Sequence, residues 1–444
     1  MNTGPCIALI AAACAMVTAC GDNLGASAYS VGGTVTGLSG TGLVLQINSG
    51  DDLSISSNGA FVFRASLDNG ASYSVSVAAQ PSAPAQTCTV RNGTGKIDAA
   101  NIANVSVSCQ GTGHFAYVAN MLSNNVSVYA LNSSTGALTS IAGSPFASTG
   151  TAPAALLING NFLYVANSGS NEIAVFSISG QIGALTPAGT PSAAGGAPIA
   201  LCVDATGSYL YVANSASANV SAYSIDPATG LLTELGNSPF AAGAGPSSLQ
   251  TDPSGNYLYV SNQIGGTVSV FQINASNGAL TAVSGSPFAS GGGATSIAID
   301  PVGAFVYVAN GSAASISEFS IDSSTGALSA VSGSPIPAVS APTSLAVDPA
   351  GRYLYASTVN SANAVAAYSI GAGTGALTLS GTAISTGNTP TGIVLDPSGS
   401  YALLANEATN NISVYAVDAT SGALTQVSGS PFASGIEPRA IAVD

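Results

Sequence analysis

Few side chains in this sequence can carry charge or move a proton, so those few are located first. There is one histidine, His114, and one lysine, Lys96. Asp and Glu number 19 against 5 Lys and Arg, a net charge of −14 over 444 residues. Near the C-terminal end, Asn406, Glu407, Glu437 and Arg439 fall close together. A guanidinium beside a carboxylate can frame a polar contact for a partner or a small neutral ligand. One histidine cannot supply a His cluster or a Cys/His zinc site, so no metal ligands are assigned. Five scattered cations leave no basic footprint, which excludes nucleic acid as a partner. A hydrophobic content of 46% excludes a disordered chain.

Six cysteines are present, at 6, 14, 20, 88, 109 and 202. The apolar run Ile7 to Val17 is too short to span a bilayer and reads as the core of a signal peptide. It leads into Val17-Thr18-Ala19-Cys20-Gly21, which resembles the lipobox of bacterial lipoproteins. That resemblance implies cleavage after residue 19 and a lipid on Cys20. It places the protein in the cell envelope, outside the cytoplasm, held to a membrane by its lipid anchor only. Cys88 and Cys109 lie 21 residues apart in a small N-terminal region and should pair in an oxidising compartment. Cys202, in Leu201-Cys202-Val203-Asp204, reads as a small buried apolar residue, with no histidine in register to activate it.

The elements that position these residues come from a repeat. A Tyr in Tyr-Val-Ala-Asn and its relatives recurs at Tyr117, Tyr164, Tyr211, Tyr259, Tyr307 and Tyr355, with Leu403 seventh. The spacings are 47, 47, 48, 48, 48 and 48 residues. A period of this size means a solenoid, an array or a propeller. Each repeat holds four strand-like runs rich in Val, Ile, Tyr and Phe, separated by turns such as Asp-Pro-x-Gly and Thr-Gly-Ala-Leu. Seven four-stranded units predict an all-β, seven-bladed β-propeller over residues 113–444. The repeat region opens with a second-strand sequence at His114 and ends with a first-strand sequence, Pro438 to Asp444. The C-terminal strand should therefore complete blade 1 and close the ring. The rest divides into a signal peptide (1–19), a tether (20–27) and a small β-sandwich-like domain (28–110).

Tyr-Val-Ala-Asn, Val-Ser-Val-Tyr, Thr-Gly-Ala-Leu-Thr, Gly-Ser-Pro-Phe and Asp-Pro-x-Gly together resemble the lactonase-type seven-bladed propellers, which include 6-phosphogluconolactonases. The resemblance covers residues 113–444 and implies charged and His side chains around a central pore in the lactone-opening members. Here His114 aligns with Ser208, Asn256 and Arg352, after the turn between first and second strands. Glu407, Glu437 and Arg439 belong to the opposite face, a strand length of about 17 Å away. No catalytic set is therefore recognisable. A phosphorylated lactone would need further Arg or Lys clamps, and the propeller has only Arg352 and Arg439. Some smaller propeller lactonases hold Ca²⁺ with Glu, Asn and Asp. Asn120, Asn167, Asn214, Asn262, Asn310 and Asn406 could offer amide carbonyls, but their repetition reads as turn capping, so no cofactor is assigned. The Asp series (Asp204, Asp252, Asp300, Asp348, Asp396) reads as turn-forming and the Phe series (Phe146, Phe240, Phe288, Phe432) as blade packing. The expected function is a lipid-anchored, monomeric, non-catalytic binding propeller for an envelope protein, a glycan or a small neutral ligand. The alternative is a hydrolase of neutral lactones, with or without a metal.

Overall fold

The computed structural model describes residues 28–38, 41–81, 86–111, 114–180, 182–360 and 362–444. The expected signal segment, tether and Cys20 lie outside the described residues. Two compact units part between Cys109 and Gln110, and no helix occurs among the described residues.

The first unit is a pair of four-stranded sheets. One orders Gly59–Asp68, Ala28–Thr36, Ile102–Gly111 and Gln86–Arg91; the other orders Asp51–Ile55, Leu43–Ile47, Ser72–Ala79 and Thr94–Lys96. Phe61 and Phe63 are buried while Val62 between them is 57% exposed. That period of two gives each sheet one apolar face. The faces meet in one core that joins Val31, Phe61 and Val105 to Leu43 and Leu45. Cys88 and Cys109, on neighbouring strands, form a buried disulfide.

The second unit is a ring of seven blades. Its inner strands are Pro153–Asn159, Pro198–Val203, Pro246–Thr251, Ala294–Ile299, Ala341–Val347, Pro390–Leu395 and Pro438–Val443. Each touches the next, and the last touches the first, in a closed cycle. Blade 1 takes its inner strand from Pro438–Val443, which pairs antiparallel with His114–Asn120; Asn125–Leu131 and Leu138–Ser140 follow outward. Second strands such as Phe162–Asn167 are apolar almost throughout, because neighbouring blades cover both of their faces. Seven apolar clusters result, each straddling two adjacent blades.

Two contacts repeat from blade to blade. The Tyr164, Tyr211, Tyr259, Tyr307 and Tyr355 hydroxyls donate to the carbonyls of Gly230, Gly278, Gly326, Gly375 and Gly422 in the next blade, at 2.9 to 3.2 Å. Each such net bond is worth about 1 kcal/mol. The same turn needs glycine. Gly326 has φ 73° and lies against the Tyr257 ring, where a Cβ would come within 2.3 Å. The Thr-Gly-Ala-Leu motif is thus an inter-blade seat. One feature differs from the four-strand expectation. In six blades the residues after Ser-Pro, or its counterpart in blade 2, add a two-residue strand on the third strand, as Phe146–Ala147 does on Asn125–Leu131. Phe146, Phe240, Phe288 and Phe432 pack there against the clusters.

Blade 5 buries a carboxylate on its third strand, Ser315–Ile321. Glu318 is 1% exposed and accepts the backbone N–H of Leu377 from blade 6 at 2.6 Å. Burial raises its pKa above 4.5, and the Leu377 hydrogen bond opposes this. The folded chain therefore holds that proton more tightly than the unfolded chain. The stabilisation is complete below the unfolded pKa and is lost as pH rises through the raised folded one. Glu318→Gln keeps an acceptor for Leu377 without the charge. Its melting temperature should match the wild type near pH ~4 and exceed it at pH ~7.5. A difference that does not change with pH would contradict this assignment.

Candidate functional site

The inner strands enclose an axial cavity of about 470 Å³. Each inner strand carries one extra residue directly after its first, where the pairing register shifts. In the blade 6 strand, which starts one residue earlier, the shift follows Pro342. Such a bulge re-aims a side chain, and bulges concentrate beside functional sites. The bulge residues are Ala154, Ile199, Ser247, Thr295, Thr343, Thr391 and Arg439, and all line the cavity. Arg439 is the one cation among its lining residues.

Arg439 Nη1 lies 3.3 Å from Glu407 Oε2. Their side chains are 43% and 23% exposed. Arg439 sits on the closing strand of blade 1. Glu407 opens the loop after the second strand of blade 7, Tyr401–Asn406. The pair therefore spans the seam between two blades. In the repeat frame Glu407 corresponds to Gln263 of blade 4, which also lines the cavity.

The other sequence-selected residues lie apart from this pair. Asn406 is fully buried, and its Nδ2 donates to Asn411 Oδ1 at 2.8 Å and Ser413 Oγ at 2.9 Å. It braces its own turn. Glu437 takes a left-handed backbone, φ 56°. Its N–H donates to Asn410 Oδ1 and its carbonyl accepts the Met121 N–H. It anchors the loop into blade 1. His114 begins the strand that Asn120 ends, so it lies at the far end of blade 1, with Nδ1 2.7 Å from the Asp444 carbonyl oxygen. Phe115 N–H donates to the Asp444 carboxylate at 2.6 Å. Asp204, Asp252, Asp300, Asp348 and Asp396 are buried and accept backbone N–H groups of their own turns. Cys202 is buried, and burial pushes its thiol pKa up. Among the described residues no group of three or more His, Cys, Asp or Glu side chains could hold a metal.

The Asn series packs in a way that single repeats did not disclose. Gly435, in the loop before Pro438, lies against Asn120, where a Cβ would come within 2.5 Å of the amide carbon. Gly150, Gly195, Gly243, Gly291 and Gly387 meet Asn167, Asn214, Asn262, Asn310 and Asn406 likewise. Blade 6 replaces both partners at once, with Thr358 for Asn and Val339 for Gly. The Asn positions are therefore one half of a packing pair. The sequence reading also passed over the bulge residues Ser247, Thr295, Thr343 and Thr391. Their signal was available, since each directly follows a Pro or Ala at the start of its inner strand.

A model of the family described as lactonase, 7-bladed beta-propeller, matches residues 104–244, 237–346 and 332–437. None of the curated proteins matches the chain. Among solved structures, the chain is similar to a candidate 6-phosphogluconolactonase of Bacteroides uniformis, at 19% identity and a TM-score of 0.66, over 75% of this chain and 99% of that one. A second, the periplasmic gluconolactonase PpgL of Pseudomonas aeruginosa, is 17% identical with a TM-score of 0.64, over 74% and 99%. At these identities the likeness is one of fold.

The geometry separates buried polar groups that brace a turn from half-exposed ones. Arg439→Ala should lower stability by less than about 1 kcal/mol, as for an exposed ion pair. Asn406→Ala should cost about 1–3 kcal/mol, because it strips the partners of a buried turn. Urea denaturation of the two variants checks the order; equal losses would contradict it.

Proposed function

This chain belongs to the lactonase family of seven-bladed β-propellers, and on that basis we propose that it hydrolyses a small neutral lactone at the mouth of its axial cavity. The observation that carries the reading is the Arg439–Glu407 pair, 3.3 Å apart across the seam between blades 7 and 1, with Arg439 lining the cavity. Family membership and neighbours named as gluconolactonases support it.

The chemistry runs as follows. The lactone carbonyl oxygen accepts from the Arg439 guanidinium, which stabilises the negative charge that develops there. Glu407 takes a proton from a water molecule as the water oxygen bonds to the carbonyl carbon. The ring C–O bond then breaks, and the ring oxygen takes up the proton to become a hydroxyl. The product is the open hydroxy acid, which ionises to its carboxylate. No cofactor enters these steps. A single guanidinium already paired with a carboxylate leaves no clamp for a phosphate, so the substrate is uncharged.

A second reading is retention of a glycan, an envelope protein or a neutral ligand without turnover. The one histidine favours it, since His114 is held by Asp444 at the far end of blade 1. The lipobox supports a chain anchored in the envelope through Cys20. Metabolic labelling with a fatty-acid analogue should mark the wild type and not Cys20→Ala; label on that variant would refute the anchor.

Acid release from uncharged five- and six-membered lactones, followed at constant pH, tests the main reading. Glu407→Gln and Arg439→Ala should each lower kcat/KM by about 10²-fold, while Arg352→Ala leaves it unchanged. Hydrolysis no faster than buffer, or equal rates in all variants, would overturn it. Binding without hydrolysis would leave the second reading.

A further inference from the structure

The cavity wall is two-sided, and this bears on what the lactone carries besides its ring. Blades 2 and 3 contribute only apolar side chains: Ala154, Ala155, Leu156, Ile199, Ala200 and Leu201. Blades 4 to 7 present the bulge hydroxyls of Ser247, Thr295, Thr343 and Thr391, and Ser248, Ser296 and Ser344 stand beside three of them. The bulge hydroxyl protons are already engaged. Ser247 donates to the Ala294 carbonyl at 2.5 Å, Thr295 to Pro342 at 3.0 Å, Thr343 to Pro390 at 2.6 Å and Thr391 to Pro438 at 3.3 Å. Each bond ties one inner strand to the next. The bulge hydroxyls can therefore accept hydrogen bonds from a ligand but not donate them, and Ser296 and Ser344 Oγ each accept a backbone N–H, from Leu345 and Ile393. Arg439 and Gln263 remain as long side-chain donors on the cavity. A ring bearing hydroxyls on every side would bury those that face blades 2 and 3 without a partner.

The rim repeats this character. Leu122, Ile264 and Ile436 are 61%, 79% and 50% exposed. All three sit in loops at the end of the blades that holds Arg439. Ile436 N–H donates to Ser123 Oγ, which brings its loop against that of Leu122.

We infer that the substrate is a lactone with an alkyl or aryl substituent, its ester held between Arg439 and Gln263 and its apolar group against blades 2 and 3. This rests on the lactonase reading and adds the substrate class. A cavity of about 470 Å³ falls in the range of small-ligand sites and accommodates a ring with a short chain.

The test is a substrate series on the full wild-type chain, followed by acid release. δ-Lactones with side chains of zero to five carbons are compared with glucono-δ-lactone. kcat/KM should rise about fourfold per methylene group over the first few carbons, the value of burying a CH₂. It should exceed that of the polyhydroxylated lactone at every length above two. Ile199→Asn should flatten the rise, since it replaces part of the apolar wall with an amide. Rates independent of chain length, or a preference for glucono-δ-lactone, would overturn this inference and leave the lactonase reading standing. No hydrolysis of any lactone would overturn both.

Discussion

Blade 1 has no inner strand in its own stretch of sequence, and the closing strand supplies it. Pro438–Val443 pairs with His114–Asn120, so the first blade is assembled from both ends of the propeller sequence. Asp444 reinforces the seam by accepting the Phe115 N–H on its carboxylate and donating its own N–H to the Phe115 carbonyl. Without that strand, the inner edge of blade 1 would face water with unpaired backbone groups, and blade 7 would lose the apolar cover of Ile441 and Val443. The closure also places Arg439, which rides on the closing strand and meets Glu407 from the last complete blade. Structural closure and the candidate site therefore share one seam.

Repetition supplies the scaffold, and departures from it supply the chemistry. The same inter-blade seats recur: a Tyr hydroxyl on a glycine carbonyl, and an aromatic ring beneath that glycine. At the bulge beside the axis, by contrast, the seven blades offer Ala, Ile, Ser, three Thr and Arg. A bulge is suited to such variation. Its side chain is re-aimed out of the pleat, so its identity is not constrained by packing between blades. Positions constrained by packing change in pairs, as Thr358 and Val339 do where other blades have Asn and Gly.

The propeller was legible because a period of 47 to 48 residues, with turn motifs in phase, allows little besides a ring of four-stranded units. The disulfide was legible from two cysteines in one small β unit. The site was legible only in part. Scarcity of charge drew attention to Glu407, Glu437 and Arg439, but all three have similar sequence signals. Strand register decides that Arg439 lines the cavity, while a left-handed turn sets Glu437 to anchor a loop. Asn406 looked like a candidate beside them, and its amide is directed to Asn411 and Ser413. The serine and threonine arc escaped notice because hydroxyl residues are common throughout the chain. Only the shared position after the opening residue of each inner strand sets these four apart.

The chain has four arginines, Arg64, Arg91, Arg352 and Arg439, so its guanidinium ¹⁵Nε spectrum is simple enough to resolve each one. Arg439→Ala identifies its line by loss. Titration with the hydroxy acid formed by opening an alkyl δ-lactone then asks directly whether the closing strand holds the ligand. The account predicts that the Arg439 line moves with saturation while the other three stay in place. Saturable binding, measured by calorimetry, with an unmoved Arg439 line would contradict it.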